Sequence, residues 1–251
     1  MDCSDRLEHT QAADTNGRTF GRWWEFQRLP SSGESSKVGA VTPHLQALYD
    51  EIVALAAKAP FEERSRRLRA DFVRRCGKVD SDDPTAERRE MAAWEDALVG
   101  GGLASEIAES FEDTASRRVA RALASAVRGV FLFELVHGRL VARDLWSRAE
   151  LLVVEGDRIG RELVVPGFEH GAPLCQARLL ASLDGCVVLP GVLFHPAEAL
   201  PALLGTLTVA RERRLDTDGV LDALLRMEQR WRTLSRVKVR YAYRPEFLPA
   251  K

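Results

Sequence analysis

Lysine is nearly missing from this chain: of its 36 basic residues, 31 are arginine and five are lysine. A GC-rich bacterial genome writes arginine and alanine freely, so an arginine cluster here is weak grounds for a ligand. An excess of one charge is lacking too. With 36 basic against 37 acidic residues the net is −1, which excludes a global field drawing the protein to nucleic acid or anionic lipid. Cysteine is sparse: Cys3, Cys76, Cys175 and Cys186, with no C-x-x-C pair. That pattern excludes a disulfide-stapled scaffold and fits reduced thiols in a cytoplasm. No cysteine or histidine lies within four residues of another. Zinc sites draw on closely spaced ligands, so no metal site is expected.

Long apolar runs are absent as well. The most apolar long window, residues 186–210, is broken by Pro190, Pro196 and Pro201 and carries His195 and Glu198. A membrane-spanning helix needs about 20 apolar residues with few charges, so no span is expected. The N-terminal MDCSDRLEH has neither the basic nor the apolar region of a signal peptide.

Catalytic signatures are missing. There is no G-x-S-x-G elbow and no local cysteine motif. Gly156-x-x-x-Gly160 is not followed by Gly-Lys-Ser/Thr and is no phosphate loop. The carboxylate pairs Asp144/Glu150 and Glu155/Asp157 flank turns and read as exposed turn charges. His170 and His195 flank the last strands, near Cys175 and Cys186 in sequence, without ligand spacing. No cofactor is expected, and the reading leans away from an enzyme; an enzyme of unrecognised type stays as an alternative.

What is present is a switch of pattern along the chain. Residues 1–41 are polar, without a sustained period, and read as a flexible arm. One aromatic island interrupts them: Phe20, Trp23, Trp24 and Phe26. Such a dense group is costly to leave in water, so it is expected to dock, through Trp23 and Trp24, on the protein's own body or on a partner.

Residues 42–128 read as a helical domain. Thr42-Pro43 is a helix start, and Leu45, Leu48, Tyr49, Ile52, Leu55 and Ala56 recur at helical spacing. A second helix ends at Gly77, and Asp83-Pro84 opens a third with Met91, Trp94 and Leu98 as its stripe. Gly100, Gly101 and Gly102 end it, and a break near Glu112-Asp113 divides the Ala-rich helices that follow.

Residues 129–195 carry strand chemistry: Val-, Leu- and Phe-rich segments cut by His137-Gly138, Glu155-Gly156 and Asp184-Gly185. About five or six strands in that length suffice for a small barrel or half-barrel. Residues 196–251 return to helix. The longest runs from about Gly219 to Arg240, capped by Asp216 or Asp218, with Val220, Leu224, Met227, Trp231 and Leu234 as its apolar stripe. The fold class is therefore α+β: an N-terminal helical part, a small antiparallel β-barrel-like core and C-terminal helices packed on it.

Arg226, Arg230, Arg232, Arg236 and Arg240 fall opposite the Trp231 stripe. From Arg211 to Lys251 there are eleven basic and six acidic residues, a local +5. The five arginines are the candidate contact surface. That face reads as a solvated polar surface, an acidic protein partner's docking site, or a nucleic-acid surface with Tyr241 and Tyr243 to stack bases, the last two being equal alternatives. For the whole chain a protein partner is expected and nucleic acid is the alternative. The overall expectation is a cytoplasmic binding or scaffold protein.

Overall fold

A computed structural model of the chain describes residues 41–154, 164, 167–168, 171–182, 184–234 and 237–250, with side chains from residue 45 onward. The aromatic island with Trp23 and Trp24 lies outside the described residues. The middle third is the sheet that the alternating apolar pattern predicts. Its strands are β1 (Val127–Val136), β2 (Arg139–Asp144), β3 (Glu150–Leu152), β4 (Leu174–Ser182), β5 (Gly185–Val188) and β6 (Leu193–His195). All the strand pairs are antiparallel, in the order β3-β2-β1-β4-β5, and β6 lies beyond β5 along the same edge of β4.

The sheet curls until its ends meet. Val153, just past β3, forms a parallel bridge with Cys186 of β5, and the Val154 N–H donates to the Cys186 carbonyl at 2.8 Å. Gly185 makes this approach possible, because a Cβ there would sit 2.3 Å from the Leu152 carbonyl oxygen. The result is an antiparallel half-barrel. The expected Asp184-Gly185 turn differs in detail: Ser182 pairs with Gly185, so the glycine opens β5 instead of filling the turn. Positive φ at adjacent turn residues occurs at His137 (50°) and Gly138 (76°), between paired Val136 and Arg139, the two-residue geometry that matches strand twist.

Strand alternation sorts the core into layers. Phe131, Phe133, Leu140, Ala142, Cys175, Ala177, Leu179, Cys186 and Val188 fill the inside of the curl. Residues between them point outward: Val130, Leu132 and Leu174 join the C-terminal helices, while Leu180 and Val187 join the N-terminal ones. β1 is thus covered on both faces, which explains its near-continuous apolar run.

The N-terminal helices are α1 (Val41–Ala56), α2 (Glu62–Cys76), α3 (Ala86–Glu95), α4 (Leu103–Ala108) and α5 (Thr114–Leu123). Leu45, Leu48, Tyr49, Ile52 and Ala56 bury the α1 face that the spacing marks. α2 ends at Gly77 (φ 94°) as expected. α5 is capped by Asp113, whose carboxylate accepts the Ser116 N–H at 2.7 Å. Between α3 and α4 a π turn, Asp96–Gly100, continues α3, and Gly101 and Gly102 follow it.

The C-terminal helices are α6 (Leu200–Glu212), α7 (Thr217–Thr233) and α8 (Val239–Ala242). Asp216 caps α7, accepting from Gly219 N–H at 2.9 Å. α7 stops at Thr233, seven residues short of the expected end at Arg240. It is also buried almost all round in its first half, from Val220 to Leu225, because α2, β1 and α8 all pack on it.

Candidate functional site

Arg128 of β1 and Arg178 of β4 stand directly opposite each other across the antiparallel pair. Both side chains are nearly buried, at 7% and 8% exposure. Like charges in that position repel, so carboxylates must come from elsewhere in the chain. Asp222 of α7 accepts from Arg128 at 2.6 Å, and Asp96 of the π turn accepts from Arg178 at 2.8 Å. Arg75 of α2 bridges the two aspartates, donating to Asp96 at 2.5 Å and to Asp222. Against the pull of desolvation, Arg128 chiefly holds the Asp222 carboxyl below the ordinary carboxylate range. Burial and the neighbouring Arg128 push Arg178 down. Glu95, wholly buried, accepts the Gly191 N–H at 2.5 Å, and burial pushes its carboxyl up to about 7. A cavity of about 10 Å³, bounded by Glu95, Arg128, Gln176, Arg178 and Gly191, has room for a single water.

A hydrogen-bond line leads from this cluster along the outer face of the sheet. Arg128 donates to Gln176 Oε1 at 3.2 Å, and the Gln176 amide donates to the Leu221 carbonyl at 2.9 Å and to His195 Nε2 at 3.3 Å. With Nε2 accepting, His195 Nδ1–H donates to the Tyr243 hydroxyl at 2.7 Å. Burial and nearby Arg89 push the His195 pKa down to about 3, so the ring is neutral and both its nitrogens are engaged.

His195 reaches one wall of a groove of about 690 Å³ between the start of α3, β6 and the end of α7. Half-buried Phe194 and Trp231 line it with Leu174, Pro173 and Pro196. The Arg88 guanidinium lies over the Phe194 ring, 4.9 Å from its centroid. Most polar groups of the groove are engaged internally. Glu228 pairs with Arg89 at 2.7 Å, and Arg232 holds both oxygens of Asp83 at 2.7 Å and Thr85 Oγ1 at 2.5 Å. Arg88 and Glu198 are exposed at the rim and form no ion pair among the described residues.

Of the five arginines of the expected contact face, Arg226 and Arg230 are exposed one turn apart on α7. Arg226 donates to the Arg75 carbonyl, and Arg230 stacks over Phe247 at 4.3 Å. Arg232 is clamped to Asp83. Arg240 lies on the separate α8, donating to Tyr241 Oη at 2.9 Å, and Arg236 is outside the described residues.

Asp144, Glu150 and Cys175, also weighed from the sequence, lie among the described residues and each has a local role. Asp144 serves its turn, accepting from Trp146 N–H at 2.9 Å and from the Ser147 hydroxyl. Glu150 pairs with Arg143 at 3.0 Å. His170, Glu155, Asp157, Gly156 and Gly160 are outside the described residues. Cys175 points into the half-barrel, where burial pushes its thiol far up, and burial raises Cys76 and Cys186 to about 12. Protonated thiols of this kind are poor nucleophiles. Among the described residues no three His, Cys, Asp or Glu side chains could hold a metal ion, and no helix is long and apolar enough to cross a membrane.

Sequence reasoning missed Arg88, Arg128, Gln176, Arg178 and Asp222; Trp231, read on the apolar stripe, does pack partly buried against the C-terminal core and also lines the groove. The available signal was a charged residue inside an apolar strand: Arg128 beside GVFLF and Arg178 within LCQARLL. The architecture is α+β, a half-barrel between two sets of helices. No protein-family model, curated protein or solved structure matches the chain.

Proposed function

We propose that this is a bacterial, cytoplasmic binding protein that acts through surface contacts with a macromolecular partner. The observation that carries the reading is the groove at Phe194, Trp231 and Arg88. Tryptophan and arginine dominate the energetics of interfaces, and here they stand half-buried or exposed on rigid elements. The titratable groups lining the groove favour binding over turnover: Glu228 is ion-paired, and His195 is neutral with both nitrogens engaged. Three buried free cysteines, Cys76, Cys175 and Cys186, fit a reducing compartment.

Affinity capture with the full chain tests the reading, with Trp231→Phe, the pair Arg226→Glu/Arg230→Glu, and Trp23→Ala/Trp24→Ala as comparisons. The expected result is a partner retained by the parent and weakened by at least one variant that keeps its circular dichroism spectrum. Identical capture by every folded variant would overturn it. A salt-sensitive shift of DNA or RNA, lost in the Arg226/Arg230 variant, would favour the nucleic-acid reading instead.

A further inference from the structure

We infer that the groove takes a short peptide segment of the partner, seating one apolar or aromatic side chain against Phe194 and Trp231 and pairing one acidic side chain with Arg88. This rests on the binding reading above and names its ligand. The groove volume, about 690 Å³, accommodates a few residues and lies within the ~300–1,000 Å³ typical of ligand sites. A small-molecule site needs polar groups that converge on the ligand. Here the inner ones are already engaged: His195 by Gln176 and Tyr243, Glu228 by Arg89, and Arg232 by Asp83 and Thr85. What remains for an incoming chain is an apolar floor with a polar rim, the layout of a protein interface.

The charges narrow the ligand further. Arg88 and Arg232 are balanced by Glu198 and Glu228, so the lining has no excess to attract a polyanion. Of these four, Arg88 and Glu198 have no ion-pair partner among the described residues. A near-neutral segment carrying one acidic residue for Arg88 and a basic residue or backbone amide for Glu198 is complementary. The Arg88 guanidinium already stacks on Phe194, which holds its fork toward a carboxylate without much further ordering.

Random dodecapeptides displayed on phage and panned against the full-length protein supply the probe. The enriched peptides are then synthesised and their affinities measured by fluorescence anisotropy. Enrichment of an aromatic or large aliphatic residue beside Asp or Glu is expected. Arg88→Glu, an exposed change that leaves the core intact, should weaken such peptides about tenfold or more. Exchanging the peptide's acidic residue for Lys should restore affinity to that variant. The inference is overturned if no such pattern is enriched, if Arg88→Glu leaves affinity unchanged, or if the same change instead dissociates a dimer in sedimentation, which would make a second copy the occupant. Capture of a partner that Arg88→Glu does not weaken would end this inference and leave the binding reading standing. If the parent chain captures no partner and enriches no peptide, both end.

Discussion

Buried charge gives single residues opposite effects here, depending on whether each has a counterion. Asp222, at 6% side-chain exposure, compensates both Arg75 and Arg128. Asp222→Ala leaves Arg128 without a carboxylate and Arg75 with Asp96 alone, and should cost about 3–5 kcal/mol in urea unfolding. Because its folded pKa is depressed, Asp222 contributes stability that is present above the ordinary carboxylate range. That stability is lost as pH falls through the lower, folded value. Glu95 has the reverse sign. Burial raises it from 4.5 to about 7, opposed by the Gly191 hydrogen bond and the Arg178 charge. Its contribution is full below about pH 4.5 and fades as pH climbs through 7, where ionising a buried carboxyl costs on the order of 3 kcal/mol. Glu95→Gln keeps an acceptor for Gly191 and should melt higher than the parent at pH 8 but close to it at pH 5. A constant difference across that range would contradict the assignment.

Among the elements, the π turn and the two hairpins show local geometry serving tertiary contacts. The extra backbone residue of a π turn shifts side chains off the helical register, and Asp96 in that turn reaches both Arg75 and Arg178. Gly138 and Gly185 look alike in sequence, each after a turn-forming residue, yet their surroundings differ. A Cβ at Gly138 meets nothing within 4 Å, whereas at Gly185 it meets Leu152 backbone at 2.3 Å. Gly138→Ala should therefore cost only its left-handed backbone, about 1–2 kcal/mol. Gly185→Ala must also push β5 from β3, and should cost measurably more in the same urea titration.

For the described unit as a whole, one ion cluster joins parts that the chain keeps far apart. Arg75, Asp96, Arg128, Arg178 and Asp222 come from α2, the π turn, β1, β4 and α7. Removing α7 leaves Arg128 without a carboxylate and removing the π turn does the same to Arg178, so the described helices and half-barrel should unfold together. Far-ultraviolet circular dichroism and tryptophan fluorescence are expected to give coincident transitions. Two separated transitions would show that the helical and sheet parts are only loosely coupled. The groove depends on the same coupling, since α3, β6 and α7 each supply a wall.

Alternation of apolar residues in VFLFELV and LCQARLL, and helical spacing from Leu45 to Ala56, were enough to place the sheet between two helical sets. Local side-chain chemistry likewise narrowed the cap of α7 to Asp216 or Asp218, because a cap bonds backbone a few residues away, and the structure selects Asp216. The extent of α7 and the fate of its arginines were not legible. Apolar periodicity marks a face that leaves water, but it is blind to a charge that leaves water with a counterion supplied more than 80 residues away, as for Arg128 with Asp222 or Arg178 with Asp96. Sequence alone determined which segments become strand and helix, through short-range sterics and side-chain burial. Which charges are neutralised inside, and which aromatics are left open as a groove, was decided only when distant segments packed.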